Sequence, residues 1–353
     1  MPDRSLLIVN YRSAALTEQA IASAREAAGD GLQVVVVDNS CDHEEQRRLE
    51  QLPVDELLVS PRNRGYAGGI NHGIDACAGT FVVISNPDVI FMSRAIDRLV
   101  ESVDAGAAMS GPKFVWDRNG EWLLPPASAP RLADKVDEVV SAYSRSRALK
   151  RDRSRIAARL RFWMLDRPAS VEALSGAVMC MRTADVRRMG GFDESYPLYF
   201  EEIDFMRRLR RAGRRVMYVP AAVCRHLYNQ SAGVSPESAL TYQTSELRYF
   251  WKWSGSTAVH FMAAMGRPRE EEGRSQTLAS GDMLELPGSP ADFLVESSPI
   301  PSFESAAGCF PRDRRILFPA DVLETYRHPK LYLRVIERSS LEVISRRVID
   351  KSA

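Results

Sequence analysis

The chain has 353 residues, 45% hydrophobic and 26% charged, and its formal net charge is +1. That balance is ordinary for a globular protein and excludes a polyelectrolyte binder, so no nucleic-acid partner is expected. No apolar run approaches the roughly 18 residues of a spanning helix, which leaves only peripheral membrane contact. Five cysteines (Cys41, Cys77, Cys180, Cys224 and Cys309) form no CxxC pair. With an odd count and no signal-like N-terminus, a reducing cytoplasm is expected.

The first third alternates strand and helix. Residues 6–9 and the four valines 34–37 read as buried strands, with an Ala-rich helix over 14–28 between them. A polar helix over 44–52, a strand over 56–59, a helix-like stretch over 67–78 and a strand over 80–85 follow. Ser93 then caps a helix running to about residue 102. Buried Val/Ile runs alternating with helices predict a parallel sheet covered on both faces. Such sheets bind ligands beyond the carboxyl ends of their strands, where Asp38 and Asp88 both fall.

Residues 125–168 break this rhythm. Within them 145–161, "RSRALKRDRSRIAARLR", carries eight basic residues against one acid, Asp152. It reads either as the solvated face of a helix or as a patch for anionic lipid or a phosphate-bearing acceptor. Alternation returns over 172–231. An aromatic helical stretch follows over 240–264, with Tyr249, Phe250, Trp251 and Trp253 close together. A polar stretch over 267–290 reads as a linker. Short strands over 293–295, 316–318, 331–336 and 343–348 then suggest a small antiparallel β unit.

Several short stretches carry chemistry. Asp38 ends "VVVVD", where its carboxylate is placed either for a heterocyclic N–H or for an Asx turn. Asp88, in "SNPDV", offers a hard oxygen to a divalent cation, and His226 follows a strand-like run and offers an imidazole. "NRGYAGGINHG", residues 63–73, suits either phosphate approach or close strand–helix packing. In "GGFDESYPLYFEEIDFMRRLRRAG" the acids at a helix start and arginines at its end fit the helix dipole, and a carboxylate there also suits a general base. "LSGAVMCMR" upstream is small enough at Gly176 for a sugar ring to pass close to the backbone.

The order "IVNY", "VVDNS", "NRGYAGGINHG", "SNPDV", "LSGAVMCMR", "GGFDE", "YFEEIDF", "HLYNQSAG" over residues 5–233 closely resembles the family 2 inverting glycosyltransferases, particularly their rhamnosyltransferase-like branch. The resemblance implies an α/β GT-A fold with a mostly parallel nucleotide-sugar-binding sheet. It implies a catalytic domain over 1–264, with a nucleotide-binding half (1–110) and an acceptor-binding half (111–264) that contains a basic insertion at 130–167. A linker (265–290) and a small β-rich C-terminal unit (291–353) complete the expected organisation.

Residue by residue, the resemblance places Asp38 on the nucleobase. Asn10, Asn63, Gly65, Asn71, Asn86, Gly176 and Glu201 line the nucleotide-sugar site. Asp88 and His226 are the implied ligands of a divalent cation, Mn2+ or Mg2+, with Asn86 standing where many members have a further Asp. Glu202 falls at the base position, where Glu replaces the usual Asp, and Asp204 is the fallback, itself otherwise explained by pairing with Arg208.

The expected reaction transfers rhamnose or another hexose from a dTDP-, UDP- or GDP-linked donor, with inversion, to a surface-glycan or lipid-linked hydroxyl. The expected setting is cytoplasmic, with peripheral contact at the inner membrane face through 145–161. The β tail and the aromatic cluster at 249–253 would suit a homodimer. The alternative is a catalytically silent nucleotide-sugar-binding or polysaccharide-assembly protein.

Overall fold

A computed structural model describes residues 3–29, 31–227, 236–265, 276–278 and 281–351. The chain begins β1 (Arg4–Asn10), α1 (Ala14–Ala28), β2 (Leu32–Asp38), α2 (His43–Leu49), β3 (Glu56–Val59), α3 (Gly65–Ile74), β4 (Phe81–Ser85), β5 (Val89–Phe91), α4 (Ala95–Asp104) and β6 (Met109–Val115). It continues with β7 (Trp122–Leu123), α5 (Leu132–Ala142), α6 (Arg145–Trp163), β8 (Ala169–Ser170), β9 (Val178–Arg182), α7 (Thr183–Arg188), α8 (Glu201–Arg211), β10 (Val216–His226) and α9 (Pro236–Ser254). Last come α10 (Ser256–Met265), β11 (Gln276–Leu278), β12 (Met283–Glu285), β13 (Phe293–Ser298), β14 (Ala307–Cys309), β15 (Arg315–Leu317), α11 (Ala320–Thr325), β16 (Lys330–Glu337) and β17 (Glu342–Asp350).

The first compact unit comprises Met1–Phe114, Ala127–Ala129 and Leu165–Gly255. Its strands lie in the order β6-β9-β4-β1-β2-β3. The pairs β1–β2, β1–β4 and β2–β3 are parallel, whereas β9 runs antiparallel to β4. The valines and isoleucines of β1, β2 and β4 are buried, and Leu6, Ile8, Val34, Val36 and Val83 pack with Ile21 and Ala24 of α1 and Ile96 and Leu99 of α4. Each such side chain contributes about 1.5–3 kcal/mol by leaving water. Register matters at the carboxyl edge: Asn10 lies opposite Asp38. After Pro87 the chain leaves the parallel half, and β5 pairs antiparallel with β10, setting Val89 opposite His226.

Three local expectations shift. The helix expected to be capped by Ser93 begins instead after Arg94, a left-handed residue at φ 59°, with no side-chain cap. The glycine-rich helix starts at Gly65, two residues before the expected position. The aromatic stretch divides at Gly255, φ +82°, into α9 and α10.

The second unit comprises Val115–Pro126, Pro130–Met164 and Ser256–Ala353. Its strand order is β11-β17-β16-β13-β14-β7, with β12 and β15 forming a separate pair. The basic stretch, expected as an insertion of the acceptor-binding half, therefore belongs with the C-terminal strands. The reason is both apolar and ionic. Ile156 and Trp163 of α6 share a core with Leu294 and Ile336, and the indole of Trp163 rests on Gly308 and donates to the Leu124 carbonyl at 2.9 Å.

The guanidinium of Arg159 binds both oxygens of the fully buried Glu296, at 2.7 and 2.9 Å. Arg334 adds bonds to Glu296 and Asp152. Arg151 and Arg155 reach Glu304, and Arg153 reaches Glu342. Five of the eight basic residues in 145–161 are thus engaged with acids, counting Arg147 beside Asp137. Arg145, Lys150 and Arg161 are exposed.

Part of the expected linker, residues 266–275 and 279–280, lies outside the described residues, as do residues 228–235, which include 228–233 of the "HLYNQSAG" stretch. Among the described residues no helix is long and apolar enough to cross a membrane. All five cysteines are free thiols, and only Cys41 is exposed.

Candidate active site

The parallel strands deliver their polar ends to one edge. Asp38, 1% exposed, accepts from the Ser40 amide at 2.9 Å in an Asx turn. Asn39 donates to the Gly65 carbonyl at 2.8 Å, which ties the end of β2 to the start of α3. Its own Oδ1 is buried with no partner among the described residues, as is Oγ of Ser60 at the end of β3. Asn10 is inward-looking: its side chain donates to Glu45 at 2.9 Å and accepts from Ser13 and Thr17, each at 2.9 Å. That network ties α1 and α2 to the end of β1.

The glycines of α3 fall into two stripes. Gly69 and Gly73, four residues apart, admit the sheet: a β-carbon at Gly69 would lie 2.6 Å from Val9 Cγ1, and one at Gly73 would overlap Leu7. Gly65 and Gly68, with Asn71, are spaced by three and face the segment 191–197. A β-carbon at Gly65 would stand 2.9 Å from the Pro197 carbonyl oxygen, at φ +70°. Asn71 accepts from the Phe192 amide at 2.8 Å and donates to the Phe192 carbonyl and to Glu194, both at 2.9 Å. The glycine-rich stretch is therefore close-packed on two sides, and Asn71 is a clamp on that segment. Asn63 accepts from the Gly65 amide at 2.8 Å and sets the entry to the helix.

Asp88 reaches its place because β4 ends at Ser85 and the Asn86-Pro87 turn follows, with the Asn86 amide bonded to the Ala177 carbonyl at 2.8 Å. The β5–β10 pairing then brings His226 alongside, its Nε2 3.3 Å from Asp88 Oδ1. The Leu227 amide closes on the Asp88 carbonyl at 2.9 Å, and the ring of Phe114 lies 5.5 Å from the imidazole. A carboxylate oxygen and an imidazole nitrogen so close, both buried, suit a divalent cation that accepts mixed O and N donors. No group of three or more His, Cys, Asp or Glu side chains fit to hold a metal is assembled among the described residues. The pair matches a cation that takes its other positions from phosphate and water.

The second acidic element opens α8. Tyr199 and Phe200 both adopt the left-handed region, at φ 68° and 70°, which costs non-glycine residues about 1–3 kcal/mol each. That turn swings Glu201 and Glu202 into the protein. Glu201 is 2% exposed, and Oε2 of each glutamate is buried with no hydrogen-bond partner among the described residues. Burial, and for Glu201 also the neighbouring Glu202 charge, pushes the pair above the usual carboxylate range. Backbone amides around residues 200–203 partly oppose the rise at Glu202. Gly176 makes room for it: a β-carbon there would lie 2.9 Å from Glu202 Cγ.

Asp204 points elsewhere. Fully buried, it accepts from Arg208 Nε at 3.1 Å, Lys252 Nζ at 2.9 Å and Trp253 Nε1 at 2.8 Å. Its pairing with Arg208 on one helix face is the structural role open to it from sequence, and Lys252 and Trp253 extend that role to α9.

Tyr66 is the site residue that sequence reasoning missed. Its hydroxyl donates to the Gly176 carbonyl at 3.1 Å. Burial first, then the charges of Glu201, Glu202 and Asp88, hold its phenol well above the usual range. An aromatic inside a glycine run was the available signal, since such a side chain must insert where the glycines permit approach.

Residues 2–245 match the family described as "Glycosyltransferase like family 2". An N-acetylglucosaminyl-diphospho-decaprenol L-rhamnosyltransferase of Mycobacterium tuberculosis is 27% identical over 256 residues, covering 67% of this chain and 79% of that protein. Rhamnosyltransferase WbbL of Escherichia coli is 45% identical over 51 residues, 14% of this chain and 19% of that one. Among solved structures, GalNAc-T7 with UDP, GalNAc and Mn2+ superposes with a TM-score of 0.50 at 12% identity, over 71% of this chain and 48% of that chain. The first unit has the GT-A fold expected from the sequence. With the matched region spanning its strand-end acids, Tyr66 and the Glu201–Glu202 pair, the chain belongs to the glycosyltransferase-like family 2 and is a glycosyltransferase.

Proposed function

We propose that the chain transfers a hexose, rhamnose being the first to try, from a dTDP-, UDP- or GDP-linked donor to a hydroxyl of a surface-glycan or lipid-linked acceptor, with inversion at the anomeric carbon. The observation that carries this reading is the Glu202 carboxylate, held against Gly176 with one oxygen buried and unused. A carboxylate with a raised proton affinity and a free lone pair is suited to take a proton. The names of the relatives support the sugar, and that of the mycobacterial one supports a diphospholipid-linked acceptor.

Glu202 accepts the proton of the acceptor hydroxyl as its oxygen bonds to the anomeric carbon. The bond from that carbon to the diphosphate breaks on the opposite face, and the nucleoside diphosphate leaves with the electron pair. The first amides of α3 sit at the positive end of the helix and favour the anionic diphosphate. Asp38 accepts a ring N–H of the base, and Asp204 holds α8 against α9 while Glu202 acts. Asp88 and His226 would hold a divalent cation, Mn2+ or Mg2+, which supplies Lewis-acid stabilisation of the diphosphate.

A panel of nucleotide-sugars with the purified chain and Mn2+, read by thermal shift and by release of nucleoside diphosphate, tests this. Stabilisation by a donor together with its slow hydrolysis is expected. Stabilisation with no hydrolysis and no transfer to any glycan or lipid-linked acceptor would instead leave a silent binder.

A further inference from the structure

The Gly176 turn is gripped from two sides and itself grips a third group. On one side the Asn86 amide, two residues before Asp88, donates to the Ala177 carbonyl at 2.8 Å. On another the Tyr66 hydroxyl, carried by the first turn of α3, donates to the Gly176 carbonyl at 3.1 Å. The bare α-carbon of Gly176 then forms the wall against Glu202, with room for no β-carbon at 2.9 Å from Cγ. The donor-side helix, the Asn86-Pro87 turn and the candidate base thus meet at two consecutive residues, Gly176 and Ala177.

We infer that Tyr66 is a positioning residue for the transfer reaction, which fixes the Gly176 turn through its hydroxyl and thereby sets where the Glu202 carboxylate stands. The inference rests on the reading of Glu202 as the base. Tyr66 is well suited to the task. Burial first, then the charges of Glu201, Glu202 and Asp88, raise its phenol well above the usual range, which favours the hydroxyl as a donor. Its backbone is held as well: Gly65 beside it lies on Pro197, in the segment that leads into α8, and Asn39 binds the Gly65 carbonyl. A shift of the Gly176 peptide would move the base relative to the anomeric carbon, because Glu202 lies against its α-carbon. Misplacement of a reacting group by an ångström costs about a hundredfold in rate.

The test is a double-mutant cycle of Tyr66→Phe and Glu202→Gln, with Gly176→Ala as a second way to move the base. In Tyr66→Phe, kcat for transfer should fall about tenfold or more while donor KM, donor affinity by titration and the melting temperature stay near wild type. Combined with Glu202→Gln it should cost nothing further, because residues that act through one another are not additive. Gly176→Ala should show the same split of kcat from KM, which keeps the inference testable if Tyr66→Phe fails to fold. An unchanged kcat in Tyr66→Phe, a loss confined to donor affinity, or losses that multiply with Glu202→Gln would each overturn it. Absence of transfer by the wild-type chain would instead strike the proposed function.

Discussion

Nε1 of Trp253 donates to Oδ1 of Asp204 at 2.8 Å, and so links α9 to the face of α8 opposite the candidate base. Residues two positions apart on a helix are separated by about 200° of rotation, so Glu202 and Asp204 face opposite sides of α8 and cannot serve one site. Asp204→Asn should lower thermal stability by about 1.5–3 kcal/mol, because Lys252 and Arg208 lose a charged acceptor. Donor hydrolysis should survive below its melting temperature. Glu202→Gln should leave donor binding intact, should not lower the melting temperature, and should reduce transfer about 10²–10⁴-fold. If Glu202→Gln transfers normally and folded Asp204→Asn is inactive, the assignment is reversed.

The glutamate pair makes both rate and stability depend on pH. The base works only when ionised, so the acid limb of the rate profile should lie above the ordinary glutamate range, in the direction burial shifts Glu202. For stability the sign is opposite to that of a salt-bridged acid. A raised carboxyl pKa in the folded state contributes stability that is complete below the unfolded value and lost as pH rises through the folded one. Glu201→Gln, which cannot ionise, should therefore raise the melting temperature at neutral pH and leave it unchanged in mild acid. Melts of both proteins at the two pH values decide this; a constant difference would mean that Glu201 does not titrate in that interval.

What the sequence revealed follows from the range of the forces involved. The valine runs of β2 and the apolar runs of β1 and β4 are local patterns, and they gave the parallel half of the sheet. The acids Asp38 and Asp88 were legible because each ends such a run. The acids that hold α6 were not. Glu296, Glu304 and Glu342 lie well over a hundred residues from Arg159, Arg155 and Arg153, so the arginines looked like a solvated or lipid-facing surface until the chain folded back. The two stripes of α3 were equally hidden, since Gly68 and Gly69 are neighbours in sequence but face different partners. Glu202 and Asp204 both fit a helix start, and only their partners distinguish them.

The buried acid beneath α6 should matter far more than its exposed counterpart. Glu296 is fully buried between Arg159 and Arg334. Glu296→Ala would strand two guanidiniums away from water and should cost about 3–5 kcal/mol. Glu342 pairs with Arg153 at the surface, at 2.6 Å, and Glu342→Ala should cost about 1 kcal/mol or less. Denaturant unfolding of both variants provides the comparison. Equal costs would show that the network is not what seats α6.

The Asp88–His226 pair predicts how a cation would be bound. With one carboxylate oxygen and one imidazole nitrogen brought together, and no larger donor cluster among the described residues, the protein alone should bind Mn2+ weakly. Affinity should rise when a nucleoside diphosphate adds its oxygens, as expected for a cation that completes its shell from substrate. Titration of Mn2+ into the chain with and without UDP or dTDP, followed by the paramagnetic signal of the free ion, should show that coupling. His226→Ala and Asp88→Asn should each abolish it, and by linkage each should weaken nucleotide binding only when the metal is present. Tight Mn2+ binding without nucleotide would require further protein ligands. Nucleotide affinity indifferent to Mn2+ would instead leave the diphosphate to the α3 amides and the pair to a structural hydrogen bond.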